Sequence, residues 1–467
     1  MQNVSVKDYF ALDNPGSISF GGSEQAQMFT KILTESLQGV LQYNYYAEGE
    51  NAGFITASID GRPWTGTLWS RDVGTFLREL VSFGYFGHAA LTARYLMEHC
   101  GINEEGYHTF AAHVEPGEIA AGDELDGTCA IIIGFSLLYT SLIALDAPVA
   151  KETAEQIATF LTDAQSPVRY ILYRVEKTGM LAGSGEFGGG MGTEGNWVNS
   201  VQNALAAYAL RSWAQVKKKE DAQFAQTCFD AADKLEKLLK TYLVQDDVFI
   251  WCVREADMQP DGEVLNTTQN KGFTGINGIG AMSCDVPVPV SNRIMQLAER
   301  TYDHLLQQPF RREQFVKYGM YIQFEKLFGG YLTSPSYGQG YALQLVLLLG
   351  RYTDAARLFA YMAKATVNPP KEYVLTRHSS YWLYERFLSP DYFRQPLEEQ
   401  TSGEGCGALN VVNVAEPLKA ARLLAGIDCG LQEASPRWID GVNYIKLRNW
   451  PVLENGKLQF INREYNR

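Results

Sequence analysis

The chain is poor in histidine and in paired cysteine, and it has neither a surplus of positive charge nor a long apolar run. Its six histidines show no H-E-x-x-H or similar spacing, so no metal site can be read and neither a metal nor another cofactor is expected. The seven cysteines (Cys100, Cys129, Cys228, Cys252, Cys284, Cys406 and Cys429) are odd in number and never form a C-x-x-C pair. That excludes a disulfide framework and a zinc ribbon, and suits reduced thiols in a cytoplasm. Lys and Arg number 40 against 53 Asp and Glu, a net charge of −13, which argues against nucleic acid because phosphate binding needs basic residues gathered on one face. The longest apolar run, Cys129–Tyr139, is well short of the ~20 residues that span a bilayer. The first residues, MQNVSVKDYF, lack the basic start and apolar core of a secretory signal. A soluble, cytoplasmic chain with no membrane partner is expected, and nothing in the composition bears on oligomeric state.

What the chain does have is core-forming material: 46% of its 467 residues are hydrophobic, and 26 Tyr and 8 Trp together outnumber 23 Phe. Tyr and Trp combine a large apolar ring with a polar tip, which suits ligand walls as well as cores. The 3.6-residue period predicts twelve helices at 24–45, 71–84, 86–100, 126–145, 150–176, 197–219, 221–243, 290–308, 337–350, 352–366, 378–388 and 408–426. In the last, Val411, Val414, Ala415, Leu418 and Ala421 form one stripe and Lys419 and Arg422 fall off it. Tight turns (84–87, 350–353) alternate with long polar connections at 45–70, 101–125, 177–196, 244–289, 309–336 and 389–407. Loops of that length are uncommon in compact domains unless they are functional.

This alternation predicts an all-α fold, an (α/α)6 toroid of twelve helices, six inner and six outer, with a site where the long loops converge. An α-solenoid would show self-similarity at a period of about 34–45 residues, which the chain lacks. Minor β accessories are expected at Val248–Val253 and in the tail, Val442–Leu447 with Lys457–Ile461. No linker marks a second domain. Residues 1–467 are therefore expected to form a single (α/α)6 domain, with 1–22 as an N-terminal extension and 430–467 as a tail packed on it.

The most informative stretch is Trp69-Ser-Arg-Asp-Val-Gly74. Arg71 and Asp72 open a helix whose apolar face is supplied by Phe76, Leu77 and Leu80, and an Asp in a first turn has a structural use against the helix dipole. The motif also resembles the W-x-R-D of glucoamylases (glycoside hydrolase family 15) and the R-D motif of glycogen-debranching enzymes, both (α/α)6 toroids. The resemblance implies that Arg71 and Asp72 grip hydroxyls of a terminal sugar, a task suited to a planar multi-donor beside a two-oxygen acceptor, with Trp69 stacking nearby. Asp123-Glu-Leu-Asp-Gly-Thr128 is similar to the R-D-G-P-A-L segment of glucoamylases. Asp126 is there a sugar contact, a reserve acid by analogy with debranching enzymes, or simply a helix-start carboxylate.

Two further loops carry glutamates where this superfamily keeps its acid and base. Glu186 and Glu194 lie ahead of Trp197-Val-Asn-Ser200 and compete for the general-acid role. The stretch Glu194–Ser200 is close to the trehalase pattern E-S-G-W-D-N-S, but Val198 stands where trehalases have their catalytic Asp. Glu399 and Glu404, before the last helix, compete for the general-base role; Glu399-Gln400 resembles the A-E-Q context of glucoamylases, and glycines flank Glu404. Inverting hydrolysis needs a protonated carboxyl at the leaving oxygen and a carboxylate activating water, about 6.5–9.5 Å apart. Burial among aromatics tunes the first and a wetter setting the second. Tyr337, Gln339 and Tyr341 at one helix start, and His378 and Trp382 at another, are further pocket candidates, although ordinary packing accounts for them equally. His88 and His378 fit structural roles better than metal ligation.

The resemblance thus implies a glycoside hydrolase that releases an α-linked glucose by inversion from a small neutral oligosaccharide. A sugar epimerase of the N-acylglucosamine 2-epimerase type shares the toroid but calls for paired histidines or comparable bases over one sugar face. A non-catalytic carbohydrate-binding toroid is the third reading.

Overall fold

The computed structural model describes residues 5–59, 65–122, 125–182, 197–250, 252–260, 262, 264–265, 292–321, 333–367, 381–383, 386–388 and 409–467. Among the described residues are fourteen α-helices: α1 (Val6–Phe10), α2 (Glu24–Gly39), α3 (Ser70–Ser82), α4 (Phe86–Glu98), α5 (Leu125–Leu142), α6 (Pro148–Thr162), α7 (Pro167–Thr178), α8 (Ser200–Lys217), α9 (Ala222–Tyr242), α10 (Asn292–Gln307), α11 (Pro309–Tyr318), α12 (Ser336–Leu348), α13 (Tyr352–Val367) and α14 (Val411–Leu424).

Burial sorts them into two sets. An amphipathic helix buries one stripe, as α9 does through Phe224, Ala225, Cys228, Ala232, Leu235 and Leu239. By contrast α3 and α14 are buried at every residue, and α5, α8 and α12 at nearly every one. Such helices must be enclosed on all sides. They form the inner ring, in which α8, α5, α3, α14 and α12 pack as successive neighbours, with α9, α6, α4, α2 and α13 outside them. Neighbouring inner helices run parallel, since Ser70 lies by Gly127, Gly74 by Ala130 and Ile131, and Leu77 by Gly134. A Cβ on Gly74 would fall 2.6 Å from the Ile131 nitrogen, so the two backbones touch. The architecture is an α/α toroid with small β accessories.

The long loops are stitched together in pairs by short antiparallel ladders at the N-terminal ends of inner helices. Leu68–Trp69 pairs with His113–Val114, Trp197–Asn199 with Cys252–Arg254, and Thr333–Pro335 with Arg386–Leu388. The first strand of each ladder leads directly into α3, α8 or α12. Elsewhere, Ser17–Gly22 adds to a hairpin of Val442–Glu454 and Lys457–Asn466, giving one three-stranded sheet with Val442–Glu454 in the middle.

Three segments differ from the periodic reading. The helix expected over 150–176 is two, α6 and α7, because Pro167 has no N–H to continue a helix and Ser166 caps a new one by accepting from the Arg169 N–H at 3.1 Å. The loop expected at 309–336 contains α11, whose buried residues are Arg311, Gln314 and Phe315, so it shows no apolar stripe. The helix expected over 378–388 is not one where it is described: Tyr381–Leu383 is non-helical and Arg386–Leu388 is a strand. Aromatic residues in this stretch favour a pleated chain.

Lys419 and Arg422, off the apolar stripe of α14, are fully buried rather than solvated. Arg422 grips Glu79 of α3 with two bonds of 2.8 Å (Nε to Oε2, Nη2 to Oε1), and Arg78 Nε donates to the same carboxylate at 2.8 Å. Removing one partner of a buried pair leaves a charge without compensation, at about 3–5 kcal/mol. Arg422→Met should therefore lower the urea midpoint sharply, while Lys151→Ala, at the exposed pair with Asp146, leaves it unchanged. Equal midpoints for the two variants would refute the assigned role of the network.

Candidate active site

On α3, residues 71, 74, 75 and 78 follow the i, i+3, i+4, i+7 spacing of one helix face, and that face looks down the axis of the ring. Arg71, Gly74, Thr75 and Arg78 line a cavity with Ala130 and Ile133 of α5, Val201 and Leu205 of α8, Tyr341 of α12 and Glu416 of α14. The empty space between these side chains, open solvent included, is about 460 Å³. Five inner helices contribute, which places the cavity on the axis itself.

At its upper end stand three charged side chains that the sequence singled out. Arg71 Nη2 meets Asp72 Oδ1 at 3.1 Å, and Arg71 Nη1 lies 3.8 Å from Asp126 Oδ2 on α5; none is more than 8% exposed. Asp126 Oδ1 accepts the Gly127 N–H at 3.0 Å, which fixes that carboxylate in the first turn of α5. Trp69, the residue before α3, donates from Nε1 to Thr67 Oγ1 at 3.1 Å and stacks on His113 with ring centroids 5.4 Å apart. The cluster therefore combines a planar donor, two carboxylates and a neighbouring aromatic pair, groups that can bond the vicinal hydroxyls of a sugar and cover its apolar face.

At its lower end Arg78 Nη2 approaches Glu416 Oε1 at 3.3 Å, and Gln344 Nε2 donates to Glu416 Oε2 at 2.7 Å. Tyr341 lies between the two ends. Burial and then the Glu416 carboxylate push its phenol well above the ordinary value, so it stays neutral. Tyr337 meets Tyr341 edge-on with centroids 5.9 Å apart, and its N–H donates to Asn413 Oδ1 at 2.7 Å.

The remaining sequence candidates lie elsewhere. Gln339 bonds backbone on both sides of its amide, accepting from the Tyr321 N–H at 3.1 Å and donating to the Gly319 carbonyl at 3.0 Å, so those bonds anchor the end of α11. Trp382 packs edge-on against Tyr43 (5.4 Å) just beyond α2. Trp197 is buried before α8, with the Arg254 guanidinium 5.2 Å from its ring centre. Glu186, Glu194, Glu399, Glu404 and His378 lie outside the described residues. Their flanks are described, however. Ala182 bridges to Val198, and Asn203 of α8 bonds both the N–H (2.8 Å) and the carbonyl (3.0 Å) of Leu181. On the other side, Asn410 caps α14. In the sequence the two glutamate segments precede the inner helices α8 and α14.

Sequence reasoning missed Arg78, Glu79, Gln344, Glu416 and Arg422. The available signal was a run of polar residues at helical spacing within segments otherwise apolar enough to be fully buried.

No family model matches the chain, and no curated protein matches it. Among solved structures it is similar in fold to a wild-type glycosidase (TM-score 0.55, 11% identity, 84% of this chain against 96% of that one). It is likewise similar to a glycosidase variant in complex with glucose (0.54, 11%, 85% against 97%) and to the glucoamylase of Hormoconis resinae (0.55, 13%, 93% against 80%). At such identities the likeness shows the fold alone: an (α/α) toroid similar to that of these glycosidases and glucoamylases.

Asn203→Ala would strip both backbone partners from buried Leu181, at about 1–3 kcal/mol for each group left unsatisfied. A clear fall in melting temperature is expected by calorimetry. Wild-type melting would mean that the anchor before α8 has no structural role.

Proposed function

We propose that the protein is a glycoside hydrolase that removes a terminal, α-linked glucose from a short oligosaccharide with inversion. The observation that carries this reading is the Arg71–Asp72–Asp126 cluster at the upper end of an axial cavity. The charged residues of α3, α5 and α14 are all buried and balance at four cations (Arg71, Arg78, Lys419, Arg422) and four carboxylates (Asp72, Asp126, Glu79, Glu416), a setting that suits a neutral ligand. One structure of similar fold holds glucose, and another, a bacterial glucoamylase (TM-score 0.53, 12% identity, 85% of this chain against 56% of that one), holds acarbose.

In this reading Arg71, Asp72 and Asp126 hold the non-reducing-end sugar, one of Glu186 and Glu194 protonates the leaving oxygen, and one of Glu399 and Glu404 activates water on the opposite face. A cytoplasmic setting accords with the free thiols of Cys100, Cys129, Cys228, Cys252 and Cys429. The four Glu→Gln variants, assayed on a panel of α-linked disaccharides, should include one from each pair that loses turnover while still binding sugar. Arg71→Ala should lower kcat/KM by about 10²–10³, the usual effect of removing one charge-stabilising donor. NMR of the wild-type reaction should show β-glucose as the first anomer. Undiminished turnover in all four Gln variants, or α-glucose appearing first, would sink the mechanism.

A further inference from the structure

Two hydroxyls on the wall of the axial cavity have no hydrogen bond among the described residues. Thr75 and Tyr341 both line it, and each keeps only 7% of its surface exposed. A buried helical threonine ordinarily turns its hydroxyl back to the carbonyl four residues earlier, as Thr153, Thr301 and Thr366 do here at 2.7–2.8 Å. Thr75 makes no such bond. The Tyr341 phenol, kept neutral by burial and by Glu416, can both donate and accept. Neither hydroxyl is sealed off without a partner; both open onto the cavity, where a ligand's own hydroxyl can bond them. The wall opposite is apolar, made by Ala130, Ile133, Val201 and Leu205.

Resting on the glycosidase reading, we propose that this part of the cavity is a pocket for the exocyclic hydroxymethyl group of a terminal hexopyranose, with Thr75 and Tyr341 bonding its hydroxyl. A pyranose that enters by its non-reducing end leads with the substituents of C4 and C5, those farthest from the bond to be cut. Arg71, Asp72 and Asp126 take ring hydroxyls at the mouth. The one substituent that reaches past the ring and joins a methylene to a hydroxyl is the C6 arm, and the pocket has one wall for each. Thr75 lies four residues below Arg71, about 6 Å along the helix, within reach of such an arm; Arg78 lies about 10 Å below and closes the end with Glu416. The pocket therefore selects hexosides over pentosides.

The test compares 4-nitrophenyl α-glucopyranoside with 4-nitrophenyl α-xylopyranoside, which differ only in that arm. The wild type should favour the glucoside by about 100-fold or more in kcat/KM. Tyr341→Phe and Thr75→Val should each cut that ratio about tenfold, with the glucoside losing more than the xyloside. Ala130→Ile, which fills the apolar side, should abolish glucoside turnover and spare part of the xyloside turnover. Equal efficiency on both glycosides in the wild type, or variants that slow both alike, would overturn the pocket and leave the hydrolase standing. Ligand-detected NMR with glucose and xylose separates the two readings further. Glucose-selective binding that Tyr341→Phe removes, without any turnover, would keep the pocket and reject the hydrolase. Binding and turnover of neither sugar would reject both.

Discussion

The Glu79 carboxylate receives two guanidinium groups, and the inner ring depends on that arrangement. Arg422 reaches it from α14 with two bonds and Arg78 reaches it from its own helix with one. Arg78 then passes the connection to Glu416, and Gln344 of α12 bonds the same Glu416. Three neighbouring inner helices are joined by buried side chains. Removing such charges from water costs several kcal/mol per ion, and only close geometry with every oxygen and N–H satisfied offsets it. A slip of α14 by one turn against α3 would leave Glu79 and Arg422 apart, so the pairing favours one register of the ring over its alternatives. The same network is the floor of the cavity, and the site's depth is set by a structural requirement of the ring.

From this follows an inversion of the usual helical pattern. In an amphipathic helix the polar face meets solvent. In α3 the face carrying Arg71, Gly74, Thr75 and Arg78 meets the axis, while Val73, Phe76, Leu77 and Leu80 are buried elsewhere around the same helix. Gly74 and Gly127 let α3 and α5 approach until backbone meets side chain or backbone, which keeps the bore narrow. Size and polarity of the cavity are thus consequences of how closely parallel helices pack, and Ala130 leaves room that a larger residue would fill.

That inversion also explains which parts of the molecule were legible in the sequence. The alternation of long and short connections and the 3.6-residue period led to the toroid, because both arise from apolar stripes facing the outer layer. Arg71, Asp72 and Asp126 were visible through a short motif. Glu416 and Arg422 were not, since the period marks Lys419 and Arg422 as the polar side of α14 without saying what that side faces. Gln339 shows the opposite failure: an amide at a helix start suggested a sugar contact, yet it clamps Gly319 and Tyr321, a tertiary contact no local pattern encodes. α11 escaped notice because it buries Arg311 and Gln314 beside a single aromatic, Phe315. The ladders between loops, two or three residue pairs each, are too short to carry a period of their own.

The parallel run of the inner helices has an electrostatic consequence at the mouth. Helix N-termini carry partial positive charge and favour acidic side chains in the first turn, and the positions of Asp72 and Asp126 in the first turns of α3 and α5 use this. A two-carboxylate mechanism asks for opposite behaviour from its members: the base must stay ionised and the acid must hold a proton. The described starts of α8 and α14 differ in their surroundings. Before α8, Trp197 and Val198 are both buried and Val198 pairs with Val253, an apolar setting that penalises charge. Before α14, Asn410 caps the helix and the Val411 N–H is bonded to the Ala57 carbonyl, a polar setting that does not.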